Sequence, residues 1–289
     1  MSPLLAATIW ILIGSMALLV ASLGMRVTSA ALRDEFLHPS RMLRALFAIG
    51  IVMPLLTIGA VRVLALDPVV EVALVALSMS PLPPGLLLKH RWVDTAEAYS
   101  ATLLLVAACC AVLFVPFWLV IAQVMPGLGD SLPTLRIIPT IGGGVVLPLL
   151  AGMTLRAVAP DLAVRLSPKL HRGAVLVLLL MLPVLLWRAG PAMGALVGNG
   201  TLATLAGFTL VGLGVGHWLG GDDPQRRAAL ALAAGSRHPA LALAIATTGT
   251  LPRDAVVGAL VWHLVIAALV GLPYILRERR LARAALPLR

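Results

Sequence analysis

The sequence predicts an all-α polytopic membrane protein with about nine transmembrane helices. Three observations carry that expectation. Of the 289 residues, 60% are hydrophobic and only 12% are charged, against roughly 45–50% and about 25% in soluble domains. Apolar runs of about 20 residues, the length that crosses a hydrocarbon core, recur along the whole chain. The basic residues fall in short clusters between those runs rather than on one contiguous face. The formal charge of +10 therefore reads as a topology signal and not as a nucleic-acid interface.

Taken in order, the expected spans are 4–27, 42–63, 69–88, 97–123, 134–156, 173–197, 201–219, 228–249 and 255–276. The first lacks a basic segment ahead of its apolar stretch, so it reads as a spanning helix and not as a cleaved signal. The fourth carries Cys109 and Cys110 side by side. Helical neighbours point about 100° apart, so they are expected as packing residues, with neither a disulfide between them nor a metal-ligand spacing. The joints are short and hold breakers, such as Pro126-Gly127 and Gly220-Gly221-Asp222-Asp223-Pro224. None is long enough for a soluble domain, so residues 1–289 are expected to form a single transmembrane domain.

Lys and Arg orient the chain. Alternate joints and the tail hold Arg26, Arg33, Arg41, Arg44, Lys89, Arg91, Arg156, Arg165, Lys169, Arg172, Arg226, Arg227, Arg277, Arg279, Arg280, Arg283 and Arg289, seventeen of the 22 basic residues. That side is expected to be cytoplasmic. The C-terminus then lies inside, and an odd number of crossings puts the N-terminus outside. The expected location is the cytoplasmic membrane.

Two spans are interrupted. The third reads Leu77-Ser78-Met79-Ser80-Pro81-Leu82-Pro83-Pro84-Gly85, with its break about 18 Å from the start at ~1.5 Å per residue. Proline removes a backbone donor and clashes with the preceding turn, so this cluster is expected to unwind the helix near the bilayer midplane. The eighth repeats the event at Gly235-Ser236-Arg237-His238-Pro239. Opened backbone at membrane depth is tolerated only against protein or a wet cavity. Paired interruptions in two halves of a chain point to a transporter binding site. The offset of five helices fits inverted five-helix repeats with the first helix missing.

Arg237 is the leading candidate site residue. A charge at the bilayer centre costs at least about 2.5–3.5 kcal/mol, and no Asp or Glu lies deep in any expected span. A mobile anion with a carboxylate is one partner that suits its fork geometry. The backbone carbonyls freed by the two breaks are another, and both are compatible. His238 is a candidate for a coupling proton or a packing residue. Ser78, Ser80, Ser100 and Thr102 can line a polar cavity, or bond carbonyls of their own helices. No His-Glu-x-x-His, Gly-x-Ser-x-Gly or deep carboxylate pair is present, so no enzyme is expected. No cofactor or metal is expected either. The expected partners are the lipid bilayer and a small-molecule substrate, with oligomeric state open.

Four runs carry a family resemblance: Leu23-Gly24-Met25-Arg26-Val27-Thr28, Val52-Met53-Pro54, Ser80-Pro81-Leu82-Pro83-Pro84 and Gly235-Ser236-Arg237-His238-Pro239-Ala240-Leu241-Ala242. In order and spacing the chain resembles the bile acid:sodium symporter family, distant kin of arsenite permeases. The resemblance implies a panel domain, a core domain and two broken helices crossing at the substrate and ion site. It implies secondary transport of a small organic, anionic solute by alternating access. Substrate binding is then expected at Arg237, His238, Ser236, Ser80, Pro81, Pro84 and Gly85, and ion coupling at His238, Ser100 and Thr102. The sequence departs from the family where sodium ligands belong. Ala233 stands for the shared acidic ligand, Arg237 and His238 for Gln and Asn, Leu86 and Leu87 for Ser-Asn, and Ile49 for Gln. A degraded sodium site implies an unknown coupling ion, with a proton possible. Arg237 is expected to act as a tethered cation where sodium would sit. The alternatives are a sodium-dependent organic-anion symporter and a transport-inactive ligand sensor or scaffold.

Overall fold

The computed structural model describes residues 3–80, 82, 94–125, 142–198, 200–246 and 251–284. Among them there is no strand. The helices are α1 (Pro3–Gly24), α2 (Ser29–Leu37), α3 (Pro39–Phe47), α4 (Met53–Val63), α5 (Pro68–Met79), α6 (Asp94–Gln123), α7 (Leu147–Val158), α8 (Pro160–Ala195), α9 (Thr201–Leu219), α10 (Pro224–Gly235), α11 (Pro239–Ala246) and α12 (Arg253–Ala284). Two π-helical turns, Ala48–Val52 and Gly142–Val146, lead into α4 and α7. Among the described residues, five helical stretches are long and apolar enough to cross a membrane, and three more are shorter but apolar. Leu113, Leu179, Leu180, Trp187 and Trp218 lie exposed on helix flanks, as lipid-facing side chains do. The protein is an all-helical, multi-pass membrane protein.

The elements differ from the expected spans in informative ways. The spans expected at 69–88, 134–156 and 228–249 are described only in part. The basic stretch Arg165, Lys169 and Arg172 is not a joint but the first turns of α8, whose 36 residues reach about 54 Å at ~1.5 Å each. Such a helix is longer than a ~30 Å hydrocarbon core is thick. Cys109 is exposed rather than packed, and Cys110 is half-buried; both are free thiols.

Small residues set the packing. Helices α1, α7 and α8 pack on one another as one group; the other helices form a second group, and α8 also packs along α12 of that group. Within the first group α1 and α7 touch backbone to backbone. A Cβ on Gly24 would run into the Leu149 carbonyl oxygen, and one on Gly152 into that of Ala21. Lipid offers no hydrophobic drive for helix association, so close approach through glycine supplies the van der Waals contact. In the second group Gly212, Gly216 and Gly220 form a line on α9 at a spacing of four. They admit Ala234–Gly235, Leu230–Ala231 and Arg227 of α10. That line seats α10 and fixes where its end falls. Between the groups, Trp262 on α12 donates from Nε1 to the Met193 carbonyl on α8 at 2.9 Å.

Candidate functional site

The two interrupted helices are built alike. Asp67 and Asp223 each accept a backbone N–H from the residue two positions on, both at 2.8 Å. Pro68 and Pro224 follow as first helical residues, where a missing N–H costs nothing. Each helix then runs 12 residues and stops at an extended serine, Ser80 (φ −70°, ψ 143°) and Ser236 (φ −119°, ψ 131°). Ser80 precedes Pro81, which disfavours a helical conformation at the residue before it. Ser236, Arg237 and His238 are unwound between α10 and α11. His238 precedes Pro239 and restarts the helix. Its Nδ1 accepts the Leu241 N–H at 3.3 Å, and its carbonyl accepts Ala242 N–H at 3.0 Å. Replacing His238 with Ala is expected to destabilise the protein by about 1 kcal/mol, the value of an N-cap, while Asn is expected to preserve the cap. Equal thermal unfolding of wild type and the Ala variant would show that the imidazole is not capping.

Arg237 joins the breaks. It is 2% exposed. Its Nη1 donates to the Ser80 carbonyl at 3.2 Å, and its Nη2 donates to the Ile49 carbonyl at 3.1 Å. The first acceptor is free because α5 ends there. The second is free for a reason written in Val52-Met53-Pro54. In the π-helical turn the Met53 N–H bonds the Ala48 carbonyl. The next N–H, which would bond Ile49 in that register, is missing because residue 54 is proline. Nε of Arg237 has no hydrogen-bond partner among the described residues, and no described carboxylate pairs with the guanidinium.

A second neighbour completes the wall. Trp118 of α6 donates from Nε1 to the Gly50 carbonyl at 2.6 Å. The Phe114 ring occupies the space where a Gly50 Cβ would stand, 2.7 Å from Cε2. Trp118→Phe is expected to orphan that buried carbonyl and cost about 1–2 kcal/mol, read as a lower unfolding temperature. Leu46, Pro54, Ser78, Met79, Ala107 and Ala111 complete the lining around Arg237. The cavity offers about 20 Å³ to the centre of a water-sized sphere, which is room for about one water.

The expected residues divide. Arg237 and the backbone of Ser80 meet directly, with Ser236 adjoining in the unwound stretch. The hydroxyls of Ser78 and Ser80 bond their own helix, to Val75 and Leu77 carbonyls, both at 2.8 Å. Ser100 and Thr102 are buried on α6 but do not line the cavity. The Ser100 hydroxyl has no hydrogen-bond partner among the described residues. Pro81, Pro84 and Gly85 lie outside the described residues. The Ile49 carbonyl, Trp118 and Phe114 were not expected. Pro54, four residues after Gly50, is the signal that exposes the carbonyls.

A family model described as the Sodium Bile acid symporter family matches residues 13–193, well over half of the chain. No curated protein matches the sequence. The matched stretch runs from α1 through most of α8 and ends ahead of the helix interrupted at Arg237. It includes Gly24-Met25, Met53-Pro54 and the end of α5. A buried cationic side chain between interrupted helices of a multi-pass protein, together with that match, places the protein among membrane transporters of small molecules: the chain belongs to the sodium bile acid symporter family.

Proposed function

We propose that the protein is a secondary transporter that carries a small organic anion across the cytoplasmic membrane without a dissociable sodium ion. One observation carries this reading: a buried guanidinium spans two carbonyl oxygens from different helices, and Nε stays unpartnered. Carbonyl oxygens are ligands for a hard cation. Here the cation is covalently attached to the chain. Its two carbonyl contacts leave Nε and further N–H groups for a carboxylate. Ser236 and the breaks at Ser80, Pro81, Pro84 and Gly85 would surround that group. His238 would hold the start of α11, and its coupling role requires that a proton on Nδ1 displace the Leu241 cap.

The transport cycle we infer is alternating access. Helices α1, α7 and α8 would form one moving body and the remaining helices the other. The twin design of α5 and α10 supports inverted repeats in a nine-span chain whose N-terminus is outside and C-terminus cytoplasmic. A cavity with room for about one water is smaller than an organic anion, so the cycle requires a further arrangement that widens it to admit solute.

Uptake of labelled organic anions into proteoliposomes, with and without a sodium gradient, tests the reading. Sodium-independent flux that disappears in Arg237→Ala supports it. Persistent flux in that variant at all substrate concentrations sinks it. The unsatisfied hydroxyl of buried Ser100 favours a second reading, a sodium-driven carrier. Sodium-stimulated flux, lost in Ser100→Ala, would establish that reading instead. Ligand binding with no flux would make the protein a sensor.

A further inference from the structure

The second cavity lies away from Arg237, at the end of the molecule where α3, α6 and the α9–α10 turn meet. It offers about 270 Å³ and is lined by Arg41, Arg44, Tyr99, Asp222, Asp223 and Arg226, with Leu219, Gly220 and Gly221. Three guanidinium groups converge there, and their donors are not saturated. Arg41 reaches Asp34 only at 3.9 Å, and Arg226 reaches Asp34 at 3.7 Å and Asp223 at 3.8 Å. Charge-assisted hydrogen bonds run about 2.7–2.9 Å, so these ion pairs are loose. Arg44 pairs with no described carboxylate. Its Nη1 lies 3.7 Å from where a Cβ on Gly221 would stand, at a turn with φ +78°. The Arg226 guanidinium is seated over the Tyr99 ring, 5.9 Å from its centroid.

Two of the three nearby carboxylates, Asp223 and Asp34, are otherwise engaged, and the third, Asp222, lies exposed on the turn that borders the cavity. Asp223 caps α10, taking the N–H groups of Gln225 and Arg226 at 2.8 and 3.1 Å. Asp34 sits at the rim, where its side chain is 52% exposed, and bridges Arg41 to Arg226 from outside. Its carboxylate stands in for an oxyanion that would accept from both guanidinium groups at once. A tetrahedral oxyanion has more acceptor sites than a carboxylate and can be bound by three guanidinium groups together.

We propose that this cavity binds a phosphate-type oxyanion between Arg41, Arg44 and Arg226, supplied either as free phosphate or as the headgroup of an anionic lipid. Such a ligand ties α3 to the first turn of α10, whose far end is the break that carries Arg237. Asp34 competes with it for the same donors.

Thermal unfolding of the full-length protein in nanodiscs of zwitterionic lipid, titrated with inorganic phosphate against chloride of equal ionic strength, tests the site. Wild type is expected to show a saturable rise in unfolding temperature. Arg44→Gln is expected to need at least about tenfold more phosphate, because it removes one charge-assisted contact. Asp34→Asn is expected to need less, because the internal competitor is gone, and this gain does not depend on a damaged fold. If phosphate has no effect but phosphatidylglycerol raises the unfolding temperature of wild type and not of Arg44→Gln, the headgroup is the source. The proposal is overturned if neither anion stabilises the protein, if chloride does so equally, or if Arg44→Gln and Asp34→Asn respond like wild type.

Discussion

Arg237→Ala is expected to unfold at a distinctly lower temperature and to carry no solute. The stability loss has a defined origin. The variant leaves the Ser80 and Ile49 carbonyls buried without donors. Each orphaned acceptor costs about 1–3 kcal/mol, so a total on the order of 3 kcal/mol is expected after relaxation. Arg237→Lys is expected to recover only part of this, because one ammonium cannot reproduce a planar fork across two acceptors. Pro54→Ala separates structure from function. It restores an N–H that the Ile49 carbonyl can take in the π-helical register, so in the Arg237→Ala background it is expected to return about 1 kcal/mol of stability. It is expected to return no flux, because it supplies no charge. Unfolding temperature and proteoliposome uptake, measured on wild type and these three variants, check both parts. An Arg237→Ala protein as stable as wild type would mean that the two carbonyls do not depend on the guanidinium.

The other large effect lies where α1 crosses α7. Gly24→Ala and Gly152→Ala are each expected to part these helices. The added methyl would run into the Leu149 or the Ala21 carbonyl oxygen, and backbone cannot swing aside as a side-chain tip can. Overpacking costs of about 1–3 kcal/mol are usual, and a backbone clash belongs at the upper end of that range. The two contacts are reciprocal across one crossing, so the double variant is expected to lose less than the sum of the singles. Once the helices have separated, the second methyl meets open space. Unfolding in mild detergent measures this, and a wild-type transition in either single variant would contradict the crossing.

Much of the architecture was legible in the sequence because a bilayer imposes simple rules. Apolar length points to a helix over 201–219, and α9 covers those residues. A proline cluster marks the end of α5, and the single Pro239 marks where the helix restarts after the break at the end of α10. The extension of α8 over Arg165–Arg172 was not legible. Charged residues mark the edge of the hydrocarbon, but they do not end a helix that can continue through water. The repeated Asp-Pro opening and the serine stop of the two interrupted helices were present in the chain, at 67–80 and 223–236. They go unnoticed when only the breaks are compared. At the site, Arg237 stood out because a deep charge needs an explanation. Its acceptors did not stand out, because carbonyl oxygens leave no trace in residue identity. Ile49 looked like a lost side-chain ligand, yet it contributes through its backbone.

The tie from Arg237 to the Ser80 and Ile49 carbonyls also changes how the fold answers to its surroundings. A site filled by a free ion empties by mass action when that ion is dilute, and the protein loses the corresponding stabilisation as the logarithm of concentration. A group attached to the chain has no such concentration to fall. The two oxygens keep their partner in distilled water and in brine alike. The meeting point of the interrupted helices should therefore hold together across a range of salinity that would loosen an ion-dependent counterpart.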